Sequence, residues 1–468
     1  MTTPLAGPAR DLEVAVAGWE RAVFAVALPD GWSGAAADAA RGAHARLVDR
    51  GAALLDRARR LSAVLTDVAL TATLPLDAAL DARLVGALVA AGRVGPGPVG
   101  APVDGPVPIA VAHWWGSLRR EERDRLTAGR PDLVGALDGI PARDRDRANR
   151  IRLATARRDG EAEEAALDLA RDGASGFAAL QDVEARLAEV RARLGRLAAV
   201  DAAAAAPGHE LLALDPVSGR AAVATGDTDD ARHVGVFVPG FTARAEDLPG
   251  RIAELDAVAA RAGPDAAMVA WYDYAAPQWS EVADPPRSVL GTGPASVGAT
   301  RLASFVAGLD AARPDDPAHV TVLGHSYGSV TVAQALPAAH GVDDVVLLGS
   351  PGVTPAPVRP GHVWVAEARG DPVADAGWFG PDTNSSPEVR GMSTTPQPAR
   401  GGASGSALPA SDGSRGHGEY LRPGTTSAEG VAAVVGGRGA DVAPDRTVGA
   451  GDRLRAILGP DRALRPGG

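Results

Sequence analysis

The sequence predicts an α/β protein: a mostly parallel sheet flanked by helices, preceded by an all-α N-terminal region of long packed helices. Three observations predict it. Apolar seams with steps of three, four and seven run through the first 200 residues. Short apolar runs then alternate with helical segments after Pro207-Gly208. One of those runs leads through a glycine-bounded serine straight into an apolar helix.

Taken in order, Leu47, Leu54, Leu61 and Val68 recur every seventh residue, the spacing of a helix packed along a partner. The partner is the segment 8–28, with Val16, Trp19, Val23 and Val26, joined through the turn Pro29-Asp30-Gly31-Trp32-Ser33-Gly34. Residues 93–107, rich in proline and glycine, read as a linker. The block Leu137-Asp138-Gly139-Ile140-Pro141 reads as a turn and the start of a new helix, a structural reading preferred to any catalytic role for Asp138 or Asp144. A second seam, Leu180, Val183, Leu187, Val190, Leu194 and Leu197, predicts a long helix against another helix.

Beyond it, strands are expected at 211–214, 220–224, 234–238, 266–272, 320–323, 344–349 and 362–368, with helices near 246–262, 297–312, 327–339 and 427–436. The hairpin 211–224 would form an antiparallel edge on an otherwise parallel sheet. Residues 380–425 and the tail from 437 read as loops. The domains expected are a helical hairpin at 1–92, a helical region at 108–206, a catalytic domain at 207–440 and a C-terminal tail at 441–468.

Composition narrows the chemistry. Among 468 residues there are 47 basic ones, all arginine, and no cysteine. Schiff-base chemistry, the lysine of a phosphate-binding loop, thiol nucleophiles and thiolate metal sites are thereby excluded. A net charge of -11 without a basic cluster argues against nucleic acid or an anionic membrane as partner. No apolar stretch is long enough to span a bilayer and no signal peptide is evident, so a cytoplasmic protein is expected, with signal-independent secretion as the alternative.

Gly324-His325-Ser326-Tyr327-Gly328 follows the apolar run Val320–Leu323 and precedes Val330, Val332, Ala333 and Leu336. This is the strand-turn-helix setting in which a serine is held on a strained turn, and a side chain at Gly324 or Gly328 should collide with neighbouring backbone. A serine hydroxyl needs a base to act as nucleophile at neutral pH. Of nine histidines only His417 lies beyond the strand at 362–368, whereas His233, His319 and His362 stand at strand beginnings, the wrong edge of a parallel sheet. Asp371, just past that strand, is the expected acid ahead of Asp273, Asp382 and Asp412. The oxyanion donors expected are the amides of Tyr327 and of Phe241, with Thr242 as the alternative to Phe241. No metal or organic cofactor is called for, and residues 273–296 and the helical N-terminal half are placed to cap the site.

Residues 211–436 resemble an alpha/beta hydrolase domain. The combination of Trp114-Trp115, Leu137–Ala142 with Arg147-Ala148-Asn149-Arg150, Val238-Pro239-Gly240, the Ser326 pentapeptide and Arg369-Gly370-Asp371-Pro372 resembles an actinobacterial branch of that superfamily. Trp32-Ser33-Gly34 is similar to the WXG-type hairpins of type VII secretion substrates, although no Tyr-x-x-x-Asp or Tyr-x-x-x-Glu signal occurs. The resemblance implies a Ser326-Asp371-His417 triad acting on a small acyl or ester substrate, and a possible helical protein partner for residues 1–72. The rival reading is a secretion-associated or partner-binding protein whose hydrolase-like domain is silent.

Overall fold

The computed structural model describes residues 107–444, apart from 283, 285–286, 354–361, 375–377, 381–382 and 384–388. The expected hairpin at 1–92, its seam from Leu47 to Val68 and the tail beyond 444 lie outside the described residues, as does Asp382.

Eight strands form the sheet: β1 (His209–Leu214), β2 (Ala221–Thr225), β3 (His233–Val238), β4 (Ala266–Trp271), β5 (His319–His325), β6 (Asp344–Leu348), β7 (Val363–Ala366) and β8 (Arg390–Met392). Their spatial order is β1-β2-β4-β3-β5-β6-β7-β8. The β1/β2 and β2/β4 pairs are antiparallel and every later pair is parallel, so the opening hairpin is the antiparallel edge the sequence suggested. Alternation explains the two-sided burial. In β6, Val345 and Leu347 enter one core while Val346 and Leu348 enter the other.

Described helices before the sheet are α1 (Pro108–Ser117), α2 (Arg120–Gly129), α3 (Pro131–Ala136), α4 (Ala142–Gly173) and α5 (Phe177–Ala204). Those within it are α6 (Leu248–Ala262), α7 (Gly293–Ala311), α8 (Gly328–Ala335) and α9 (Thr426–Val435). One face of the sheet carries α6 and α9, with Leu248, Leu255, Val431 and Val435 buried. The other carries α7 and α8, with Leu302, Val306, Val330 and Val332 buried. The expected helix at 327–339 is shorter, 328–335, and the strand at 362–368 narrows to 363–366.

The seam on α5 packs as its spacing requires: Leu187 and Val190 are buried with Leu167 of α4, and Val183 and Leu194 lie against them. Gly160 of α4 permits the close crossing, since a β-carbon there would stand 2.8 Å from Leu194 Cδ2. For the described helices, Pro108 onward, the expectation that the helical half caps the catalytic edge is corrected. Its described helices pack on β1, β2, α6 and α7, and Asp138 meets Ser304 and Gly308 in the carboxyl half of α7, away from the Ala295 end that meets Tyr327.

The block around Leu137 is the clamp of that docking. Asp229 caps the start of α4 by accepting the Ala142 and Arg143 amides at 2.7 and 3.1 Å, a carboxylate where the helix dipole favours one. Fully buried Asn149 donates to the Gly135 and Leu211 carbonyls at 3.1 and 3.0 Å and accepts from Arg152 at 2.8 Å. Arg150 donates to the Ala204 and His209 carbonyls, while Asp146 accepts the Leu211 amide. Gly139, at φ +98°, has no room for a side chain, since a β-carbon would stand 2.2 Å from the Pro108 carbonyl oxygen.

Candidate active site

Ser326 sits where β5 ends and α8 is about to start. It is one of two non-glycine described residues with positive φ, at +56°, a conformation costing on the order of 1–3 kcal/mol that the surroundings must impose. They do so on both flanks: the Ser326 amide donates to Leu348 at 2.9 Å, which ties the turn to β6. The flanking glycines are needed because the strand and helix cross so tightly. A β-carbon on Gly324 would lie 2.7 Å from Ser329 Cα, and one on Gly328 would lie 2.3 Å from the Val238 carbonyl oxygen.

The loop after β3 approaches the same turn. A β-carbon on Gly240 would be 2.6 Å from Ser326 Cβ and 2.9 Å from the Tyr327 nitrogen. Thr242, at φ +68°, spends its amide on the Pro277 carbonyl at 2.9 Å. The Phe241 and Tyr327 amides have no such acceptor among the described residues, which favours Phe241 over Thr242 as the second donor.

His417 and Asp371 meet directly. His417 Nδ1 donates to both Asp371 carboxylate oxygens at 2.9 Å, which leaves Nε2 as the basic nitrogen of the neutral ring. The Asp371 side chain has no exposure, whereas that of His417 is 31% exposed. Burial alone would raise the Asp371 pKa. Donation from His417, from Tyr420 and from the Val373 amide outweighs it, and the carboxyl is held below the usual range.

Ser326 and this pair are joined through His325. His325 Nε2 donates to the His417 carbonyl at 2.7 Å, and the two rings lie 4.7 Å apart. Burial pushes the His325 pKa down to about 3, so it is a permanent neutral donor and not a base.

The competitors fall away on position. Asp273 is engaged by Arg301 through both its carboxylate and its carbonyl. His319 and His362 both bond Asp344 at the amino ends of the strands, and His233 packs edge-on to His319 there. His209 is bonded to the Ala203 carbonyl.

Two contributors escape a reading of the sequence. Gly349, at φ +55°, lies beneath the pair, and a β-carbon there would stand 2.6 Å from Asp371 Oδ2 and 3.1 Å from His417 Nδ1. Tyr420 donates to Asp371 Oδ2 at 2.5 Å. Only its position three residues after His417 could have hinted at it. Residues 273–296 do border the site: Trp279 is edge-on to Phe241 at 4.6 Å, and the Tyr327 hydroxyl donates to the Gly291 carbonyl at 2.7 Å. Burial raises the Tyr327 phenol to about 12, so that anchor does not ionise at ordinary pH. Among the described residues no group of acids and histidines could hold a metal, and no helix is long and apolar enough to cross a membrane.

The family described as alpha/beta hydrolase matches residues 215–381. A Mycobacterium tuberculosis protein is 32% identical over 308 residues, which cover 60% of this chain and 46% of that relative. A Mycobacterium bovis protein is 33% identical over 222 residues, covering 43% of this chain and 78% of the relative. Both of these relatives carry the description of uncharacterized proteins. The chain thus spans about half the length of the first of these relatives and most of the second.

Proposed function

Since the chain belongs to the alpha/beta hydrolase family, we propose that it is a serine hydrolase cleaving an ester or related acyl bond of a small-molecule substrate. The observation that carries this reading is the combination of a serine held at positive φ with a buried, ionised Asp371 bonded to a part-exposed His417.

In this reading His417 Nε2 takes the Ser326 proton as Oγ attacks the substrate carbonyl, and Asp371 stabilises the imidazolium that results. The Phe241 and Tyr327 amides donate to the oxyanion, and each such donor is worth roughly 10²–10³ in rate. Collapse expels the alkoxide, which receives the proton from His417, leaving an acyl group on Ser326. Water, deprotonated by the same ring, then releases the acid and restores the serine. Phe241 and Trp279, edge-on to each other, put apolar rings beside the Phe241 amide.

Labelling with a fluorophosphonate tests it. Wild type should label, and Ser326→Ala and His417→Ala should not. A folded wild type that does not label refutes the hydrolase reading, and labelling that survives Ser326→Ala moves the nucleophile elsewhere.

A further inference from the structure

We propose that Tyr420 is a positioning residue that sets the basicity of the Asp371-His417 pair, an inference that rests on the hydrolase reading for its catalytic meaning. A phenol has one proton, and the direction of this one is determined by its neighbours. The Ala368 amide donates to the Tyr420 oxygen at 2.9 Å, occupying its acceptor side, so the proton points at Asp371 Oδ2, 2.5 Å away. Donation into the phenol oxygen polarises its O–H bond and strengthens it as a donor.

The arrangement is buried and asymmetric. Tyr420 and Asp371 are each 1% exposed, so water does not substitute for either partner. Oδ1 accepts from His417 and from the Val373 amide, with the Ala374 amide at 3.4 Å. Oδ2 accepts from His417 and Tyr420. Remove the phenol and the charge on Oδ2 falls on His417 Nδ1 alone. The imidazolium is then held more tightly, and the ring is released as a base only at higher pH.

Two other groups beside the ring are held by their own surroundings. His325, from the end of β5, is kept neutral by burial, with Arg251 nearby opposing its protonation as well. In the loop of His417 itself, Glu419 is spent on the Arg415 amide and on Arg422. Tyr420 thus also ties the carboxylate to the end of β7 through Ala368, fixing the height at which Asp371 meets the ring.

Tyr420→Phe and site-specific 3-fluorotyrosine at 420, whose phenol is the stronger donor, should move the molecule in opposite directions. The His417 imidazole titration is followed by NMR, which needs no turnover, and the acid limb of fluorophosphonate labelling is measured in parallel. Tyr420→Phe should shift both midpoints upward by about one pH unit, and fluorotyrosine should shift both downward by less. Melting curves report folding separately. Midpoints that stay put in both variants, whatever the melting temperature does, overturn the proposal. A wild type that titrates as expected but never labels refutes the hydrolase reading while leaving the Tyr420 result to stand or fall by the NMR shift.

Discussion

The carboxyl end of the sheet around Ser326 and the β1 edge where α4 docks are both dense in buried polar groups, yet they are built on opposite terms. At the docking edge the central groups are spent, although the Arg145 Nε finds no partner among the described residues: Asn149 makes three bonds, Asp146 accepts from the Leu211 amide and from Arg150, and Asp138 takes both Arg145 and Ser304. Around Ser326 the backbone is strained, and the Phe241 and Tyr327 amides are left without acceptors among the described residues. Saturation marks a joint, whereas unspent donors beside a strained residue mark a place where something else is meant to bind. It is the strained backbone beside the unspent amides, and not an unpartnered donor by itself, that separates the two blocks.

The largest effect that could break the comparison is at the catalytic edge. Ser326→Ala should lower turnover of an ester substrate by at least about 10³-fold while leaving the denaturation midpoint within a few tenths of a molar of wild type. Gly349→Ala should come next. Its β-carbon would enter the space of Asp371 Oδ2, displacing the pair, and kcat/KM should fall on the order of 10²-fold with circular dichroism unchanged. At the docking edge the signature reverses. Asn149→Ala leaves the Gly135 and Leu211 carbonyls without their donor and should cost about 2–4 kcal/mol in urea denaturation, with kcat/KM of the folded fraction within about twofold of wild type. If that substitution lowers kcat/KM instead of stability, the two regions are not separable as argued.

The smallest effect is a pH dependence on β1. Burial raises the pKa of Glu210 to about 7 although the Thr228 amide and hydroxyl both donate to it. Because its pKa when unfolded is lower, the native state holds the extra proton. Stability contributed by that proton is present in acid and lost as pH rises from about 4.5 toward 7. Glu210→Gln should flatten this slope in melting temperature, and an unchanged slope would remove Glu210 as its source.

Much of this was legible along the chain. Parallel strands buried on both faces leave continuous apolar runs, as in Val345-Val346-Leu347-Leu348 or Val363-Trp364-Val365, and these cannot easily be mistaken. The edge strand Arg390-Gly391-Met392 is three residues long, half exposed and without a β-branched residue, so nothing local announces it. Helices α2 and α3 are likewise obscured, one being largely charged and the other only six residues long behind Pro131. Within the candidate site, the meeting of Asp371 with His417 and the turn that carries Ser326 follow from chain order and position past strand ends. Tyr420 and Gly349 do not, because each matters through a contact with Asp371 that local pattern does not encode, and the exposure of the helical half to the β1 edge could not be told from a cap.

One feature bears on how the molecule would fail when warmed. Ser326 ends a central strand with neighbours on both sides, but His417 rides on residues 393–425 between β8 and α9. That segment has little regular structure: the bridges Gln397 to Ser411 and Asp412 to Thr425 and the two-residue strands β9 (Arg400–Gly401) and β10 (Ala407–Leu408) are internal to it, and it is tied to its surroundings by the Arg369 to Arg415 bridge and by side-chain bonds such as those of Thr394, Arg400 and Tyr420. Such a segment opens at a lower free energy than the sheet it borders. Heat should therefore withdraw His417 while Ser326 still stands at the end of its strand, so that, on the proposed function, inactivation runs ahead of the loss of helical signal and reverses on cooling.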